Sequence, residues 1–158
     1  MMTHALAFLP AKLLLEDSEL LRAKFNPHPN RYGTAPCCTL HLSAAQLERP
    51  PGPDGRGQTG YVQGLQLHWL GARLVTPKLV PTLAPALSGL MGRLRHTRLR
   101  NATQGHGWQH WLALPLASYH GPFTLELQTA QGDELVLSAQ SLVLEWPPDA
   151  QFTPALAC

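Results

Sequence analysis

Apolar and polar residues alternate most clearly between Phe123 and Trp146. Phe123, Leu125 and Leu127 alternate with Thr124, Glu126 and Gln128, and Leu135, Leu137 and Ala139 alternate with Glu134, Val136 and Ser138. Period two is the signature of strands with one apolar face. A three-residue loop, Ala130–Gly132, sets Leu127 opposite Leu135, Leu125 opposite Leu137 and Phe123 opposite Ala139, so all six share a face. Such loops end on a left-handed residue, which Gly132 supplies. A two-residue loop would mix the faces.

The parity then changes. Leu142, Leu144 and Trp146 are even-numbered where Leu135 and Leu137 are odd, so the pattern predicts a bulge or corner at Gln140–Ser141. Pro147-Pro148 ends the strand.

Elsewhere the pattern is weaker. Lys12–Glu16 and Leu20–Phe25, around Asp17-Ser18, fit a hairpin or one short helix, and strands are the preferred reading. Asn26–Pro36 is proline-rich loop. Cys38, Leu40, Leu42 and Ala44 alternate with Thr39, His41 and Ser43 as a strand, and Arg49–Gly60 is an exposed loop. Leu65, Leu67 and Trp69 line one face of a segment running from Tyr61 to Val75, with Gly64 and Gly71 as candidate bulges or close backbone approaches. Leu83, Leu87, Leu90 and Leu94 share a helical face, so 82–94 is the one predicted helix, capped by Thr82 and weakened by Gly89 and Gly92. Arg95–Leu99 resumes as strand, and Trp108–Leu116 leads into the final hairpin.

The expectation is one mainly β domain over 1–158: an antiparallel two-sheet sandwich or partly open barrel of about seven to nine strands with one short helix around 82–94. Composition agrees, with 15 Pro and 13 Gly in 158 residues favouring strands and turns. The amino terminus reads poorly as a signal peptide, and no stretch is apolar enough for a membrane span. Three cysteines, two of them adjacent, form no disulfide framework, which favours three free thiols and a cytoplasmic address.

Charge changes the picture most. Residues 61–120 carry six basic and no acidic residues, and 121–158 carry five acidic and no basic ones, although the whole chain is only +2. Arg93, Arg95, His96, Arg98 and Arg100, with Trp108 and Trp111 nearby, are the candidate surface for a polyanion or a partner. The alternative is that basic and acidic segments lie side by side and neutralise each other, with Glu126, Glu134 and Glu145 as the expected acids; this is the preferred outcome. The four tryptophans are read first as core or sheet-face fillers.

His106 and His110 have i, i+4 spacing, but the glycines around them disfavour a helix and no zincin glutamate is present. Cys37, Cys38 and His41 fall short of a four-ligand zinc site. No phosphate loop or nucleophile elbow occurs. The expectation is therefore no cofactor, no metal and no catalytic residues. The functional expectation is a non-enzymatic cytoplasmic binding or scaffold module acting through a protein partner. A nucleic-acid or polyanion binder using Arg93–Arg100 is the alternative, and an unrecognised hydrolase or metalloprotein stands behind both.

Overall fold

A computed structural model describes residues 8–27, 36–53, 55, 57–76, 87, 89–104, 107–116 and 119–155. The strands are β1 (Ala11–Asn26), β2 (Cys37–Arg49), β3 (Gln58–Val62), β4 (Leu65–Leu70), β5 (Arg73–Thr76), β6 (Gly92–Asn101), β7 (Trp111–Leu114), β8 (His120–Thr129), β9 (Glu134–Glu145) and β10 (Thr153–Pro154). A short 3-10 turn, Ala102–Gln104, follows β6.

The mainly β, antiparallel expectation holds. The architecture differs: β1, β2, β4, β9, β8 and β6 pair in a ring that closes on β1, giving a six-stranded barrel with β3, β5, β7 and β10 outside it. The expected two-sheet sandwich or partly open barrel is not confirmed, and the described residues form ten strands rather than seven to nine. The reason lies in two long strands that each change neighbour partway. β2 pairs β4 through Cys37–Leu42 and β3 through Ala45–Arg49. β1 pairs β6 at Glu19 and Leu20 and β7 at Ala11–Leu14. One half of the β1–β2 ribbon thus belongs to the barrel and the other extends beyond it.

The β8–β9 hairpin has the register read from the sequence: Phe123 opposite Ala139, Leu125 opposite Leu137, Leu127 opposite Leu135. Thr129 N–H donates to Asp133 O at 2.8 Å, and Gly132 takes φ +94° in the three-residue loop. The corner at Gln140–Ser141 is present too. There β9 exchanges β5 for β4 as its neighbour, and burial passes from Leu135, Leu137 and Ala139 to Leu142. Across the pair, β8 advances from His120 to Phe123 while β9 goes from Ser141 to Ala139, so the extra residue sits at Gly121–Pro122. A Cβ on Gly121 would collide with the backbone nitrogen of Phe123.

The hairpin expected across 12–25 is corrected to one bulged strand. Between Leu14 and Glu19, β1 advances five residues while β2 passes only from Gln46 to Ala44. Ser18, buried in this bulge, donates its hydroxyl to Leu14 O at 2.8 Å and accepts Gln46 N–H at 2.9 Å. Those two bonds satisfy backbone groups that a bulge leaves unpaired, so the chain need not reverse. The loop expected through Gly60 ends at Gly57, because Gln58–Val62 pairs back on β2. Gly64 and Gly71 are turns at φ +84° and +65°, dividing the segment from Tyr61 to Val75 into three strands.

The expected helix at 82–94 falls in part, at 82–86 and 88, outside the described residues. Its last residues are strand: Gly92–Leu94 opens β6, where Leu94 pairs with Thr129. Tertiary pairing overrides the leucine spacing there.

Leucines from every barrel strand fill the interior, including Leu20, Leu42, Leu67, Leu94, Leu125 and Leu137, around an edge-to-face Trp69–Phe123 pair with centroids 5.8 Å apart. Trp69 Nε1 has no hydrogen-bond partner among the described residues. Beneath the extension, Phe8 packs edge-on to Trp146 at 5.2 Å and stacks on Phe152 at 6.5 Å. Trp69 and Trp146 thus serve as packing residues. No described helix is long and apolar enough to cross a membrane.

Candidate functional site

The candidate surface is the outer edge of β6. Arg93, Arg95, Arg98 and Arg100 are all exposed, while Leu94, Thr97 and Leu99 are buried. The arginines change from odd to even numbers yet stay on one side. A bulge makes this possible: Arg95 pairs with Gln128 and Arg98 with Glu126, three residues against two. His96 absorbs the extra length at φ +47°, a conformation uncommon outside glycine.

The bulge lies where the ring closes. β1 and β6 share only the pairs Glu19–Arg93 and Leu20–Gly92, and then diverge. Side chains take over the backbone groups left in the gap. His96 N–H donates to Glu16 Oε1 at 3.2 Å, and His110 Nδ1 donates to Thr97 O at 3.0 Å. Beyond them, Leu99 and Gln109 exchange two backbone hydrogen bonds at 2.7 Å. A groove of about 330 Å³ opens here, lined by Glu16, His96, Arg98, His110, Glu126 and Glu134 over Leu127 and Val136.

The four arginines fare differently. Arg98 grips Glu126 with two parallel bonds, Nε to Oε2 at 3.0 Å and Nη2 to Oε1 at 3.1 Å. Its guanidinium carbon also lies 4.0 Å from the Trp108 ring centre, and that of Arg100 lies at 4.9 Å. Arg93 meets Asp17 at 3.2 Å. Arg95 and Arg100 have no carboxylate partner among the described residues. Glu126 and Glu134 therefore do lie beside the basic strand as expected, while Glu145 is elsewhere, against His68. Trp108 and Trp111 do not form one platform. Trp111 sits on β7, with Lys12 Nζ 4.6 Å from its ring centre.

Of the metal candidates, His106 lies outside the described residues, as does Cys158. Cys38 points into the core and His41 outward, because residues an odd number apart on an unbulged strand face opposite ways. Burial pushes the Cys38 thiol up to about 12, with Cys37 adding to the rise, so it stays protonated and a poor ligand. Among the described residues no group of three or more His, Cys, Asp or Glu is placed to hold a metal.

Sequence reading missed two features. Glu16 and Asp17, which meet the basic strand, come from the bulge in β1, some 80 positions away. The second is a polar chain on the outer barrel face: Thr39 Oγ1 is 2.8 Å from His68 Nδ1, and His68 Nε2 is 2.8 Å from Glu145 Oε1. His68 gives no local signal of it, because it alternates with Leu67 and Trp69 just as Gln66 does.

With fold and surface described, comparison supplies no relative: no protein-family model, curated protein or solved structure matches the chain.

Proposed function

We propose that this chain is a binding module acting through a protein partner in the cytoplasm, docked on the outer face of β6 around Arg95, Arg100 and Trp108. The observation that carries the reading is Arg98, held by Glu126 through two bonds while it lies over Trp108. Four free guanidiniums in a row would suit a polyanion. Here Arg98 and Arg93 are already paired with acids, and what remains is a tryptophan flanked by fixed and free arginines. Tryptophan and arginine are the residues that most often dominate protein–protein binding energy. The bidentate grip lowers the ordering cost of presenting that ring. Support for a reducing address comes from Cys37 and Cys38, both free.

A photoreactive residue at position 95 or 100, with one at Lys24 as control, tests the reading in cells of the native source. One protein crosslinked at 95 and 100, and lost with Trp108→Ala, is the expected result. Crosslinks to nucleic acid at those positions would favour the second reading, a polyanion binder, for which Arg95 and Arg100 supply the unpaired cations.

A further inference from the structure

Three neighbouring strands of the barrel contribute a polar side chain each to one cluster on its outer face. Thr39 on β2 and His68 on β4 are directly paired, and Glu145 on β9 pairs with Gln66, two residues from His68. Hydrogen bonds of 2.8 Å lie on either side of the imidazole. An ionised carboxylate only accepts, so Nε2 carries a proton toward Glu145, and in the neutral ring Nδ1 then offers its lone pair to the Thr39 hydroxyl. Cys37 Sγ lies 3.8 Å from Thr39 Oγ1, where its thiol is a weak donor to the same oxygen. The imidazole is nearly buried at 9% side-chain exposure, Glu145 is partly open at 33%, and Thr39 is half-buried. All three stand on ladder-paired strands, so the geometry is held by the barrel rather than by loops.

A hydroxyl within hydrogen-bond reach of a base, itself oriented by a third group, is the arrangement that activates a nucleophile. We propose that Thr39 is a nucleophile toward activated carboxylic esters, with His68 as its base and Glu145 as a positioning residue. Thr39 Oγ1 bonds to the acyl carbon and its proton passes to His68 Nδ1. The ester C–O bond breaks, and the departing oxygen takes that proton and leaves as the alcohol. Acyl-Thr39 and a neutral imidazole remain. Water then attacks the acyl carbon, giving a proton to Nδ1. The Thr39 oxygen recovers that proton as the carboxylic acid departs. This activity goes beyond the partner-binding reading and does not rest on it, since β6 contributes nothing to the cluster. It departs from the expectation of a chain without catalytic residues.

The test is p-nitrophenyl acetate with the full chain, read by acid quench, intact mass and peptide mapping. The expected result is a nitrophenolate burst stoichiometric with protein and an acetyl group on Thr39. Thr39→Val and His68→Gln should abolish both, and Thr39→Ser should retain them. Glu145→Gln should keep the hydroxyl and the imidazole but slow acylation about 100-fold or more, because the ring loses its tautomer bias. Wild-type protein with no acetyl on residue 39 at any quench time overturns the proposal, whatever the variants do. So does a burst in folded Thr39→Val equal to that of wild type.

Discussion

Gly132 and Gly71 both sit at positive φ, and they should respond to substitution for different reasons. At Gly132 a new Cβ would meet nothing within 4 Å, so only the φ of +94° resists a side chain. Asn, which tolerates the left-handed region, should cost little there, while Val should cost about 1–2 kcal/mol or more. At Gly71 a Cβ would also press on Gln140 Cγ at 2.8 Å, at the corner where β9 changes neighbour. Gly71→Ala should therefore destabilise more than Gly132→Ala, measured as urea midpoints at constant slope. Leu137, wholly buried opposite Leu125, is the stricter case. Leu137→Asp should unfold or aggregate the protein, since an unpaired buried carboxylate costs several kcal/mol against a total of ~5–15. A melting point within a degree or two of wild type would contradict the packing. His41 adds a pH dependence. Burial first, and then Arg22 opposite it, lower its pKa below the ordinary 6.5. The unfolded chain thus binds the proton more readily, so the contribution of His41 to stability is intact above about pH 6.5 and is lost as pH falls through the lower folded value. His41→Gln should flatten the fall in melting temperature over that window.

At the scale of elements, what the sequence makes legible is what neighbouring residues decide. The β8–β9 register could be read because loop length and alternation constrain the same six residues. The corner in β9 could be read because parity changes within one run. β6 carries an equally plain parity change, Arg93 and Arg95 against Arg98 and Arg100, which marks the bulge between residues 95 and 98. Barrel closure leaves no such trace. It rests on Glu19–Arg93 and Leu20–Gly92, residues far apart in sequence whose pairing no local pattern encodes. The Thr39–His68–Glu145 chain is illegible for the same reason, because three separate strands must be in register before it exists. The bulge at His96 gives the test at this scale. Its left-handed backbone suits glycine, so His96→Gly should hold or raise stability by up to ~1 kcal/mol, while His96→Val should lower it by at least as much. Equal losses from both would mean that the imidazole, rather than the backbone, matters to the bulge.

For the whole molecule, segment charge proved a poor guide to surface charge. The four arginines of β6 do not form one field, because the fold brings Asp17 to Arg93, Glu16 to the backbone of His96 and Glu126 to Arg98. A chain of net charge +2 arranged in this way should bind polyanions weakly. If Arg95 and Arg100 alone make phosphate contacts, the log–log salt slope for heparin or nucleic acid should be about −1.4 to −1.8, against −3 or steeper for all four arginines. Glu126→Ala separates these cases, because it frees Arg98 without adding a cation, although the net charge rises from +2 by one. It should steepen the slope by somewhat less than one unit, and Arg98→Ala should leave it as in wild type. Both changes should cost little stability: the Arg98 and Glu126 side chains are 44% and 30% exposed, and such pairs contribute ~0–1 kcal/mol. Tight heparin binding by the wild type at physiological ionic strength, with a slope near −3 that Arg98→Ala reduces by one unit, would show that Glu126 does not hold Arg98 in solution. It would also transfer the β6 surface from a protein partner to a polyanion.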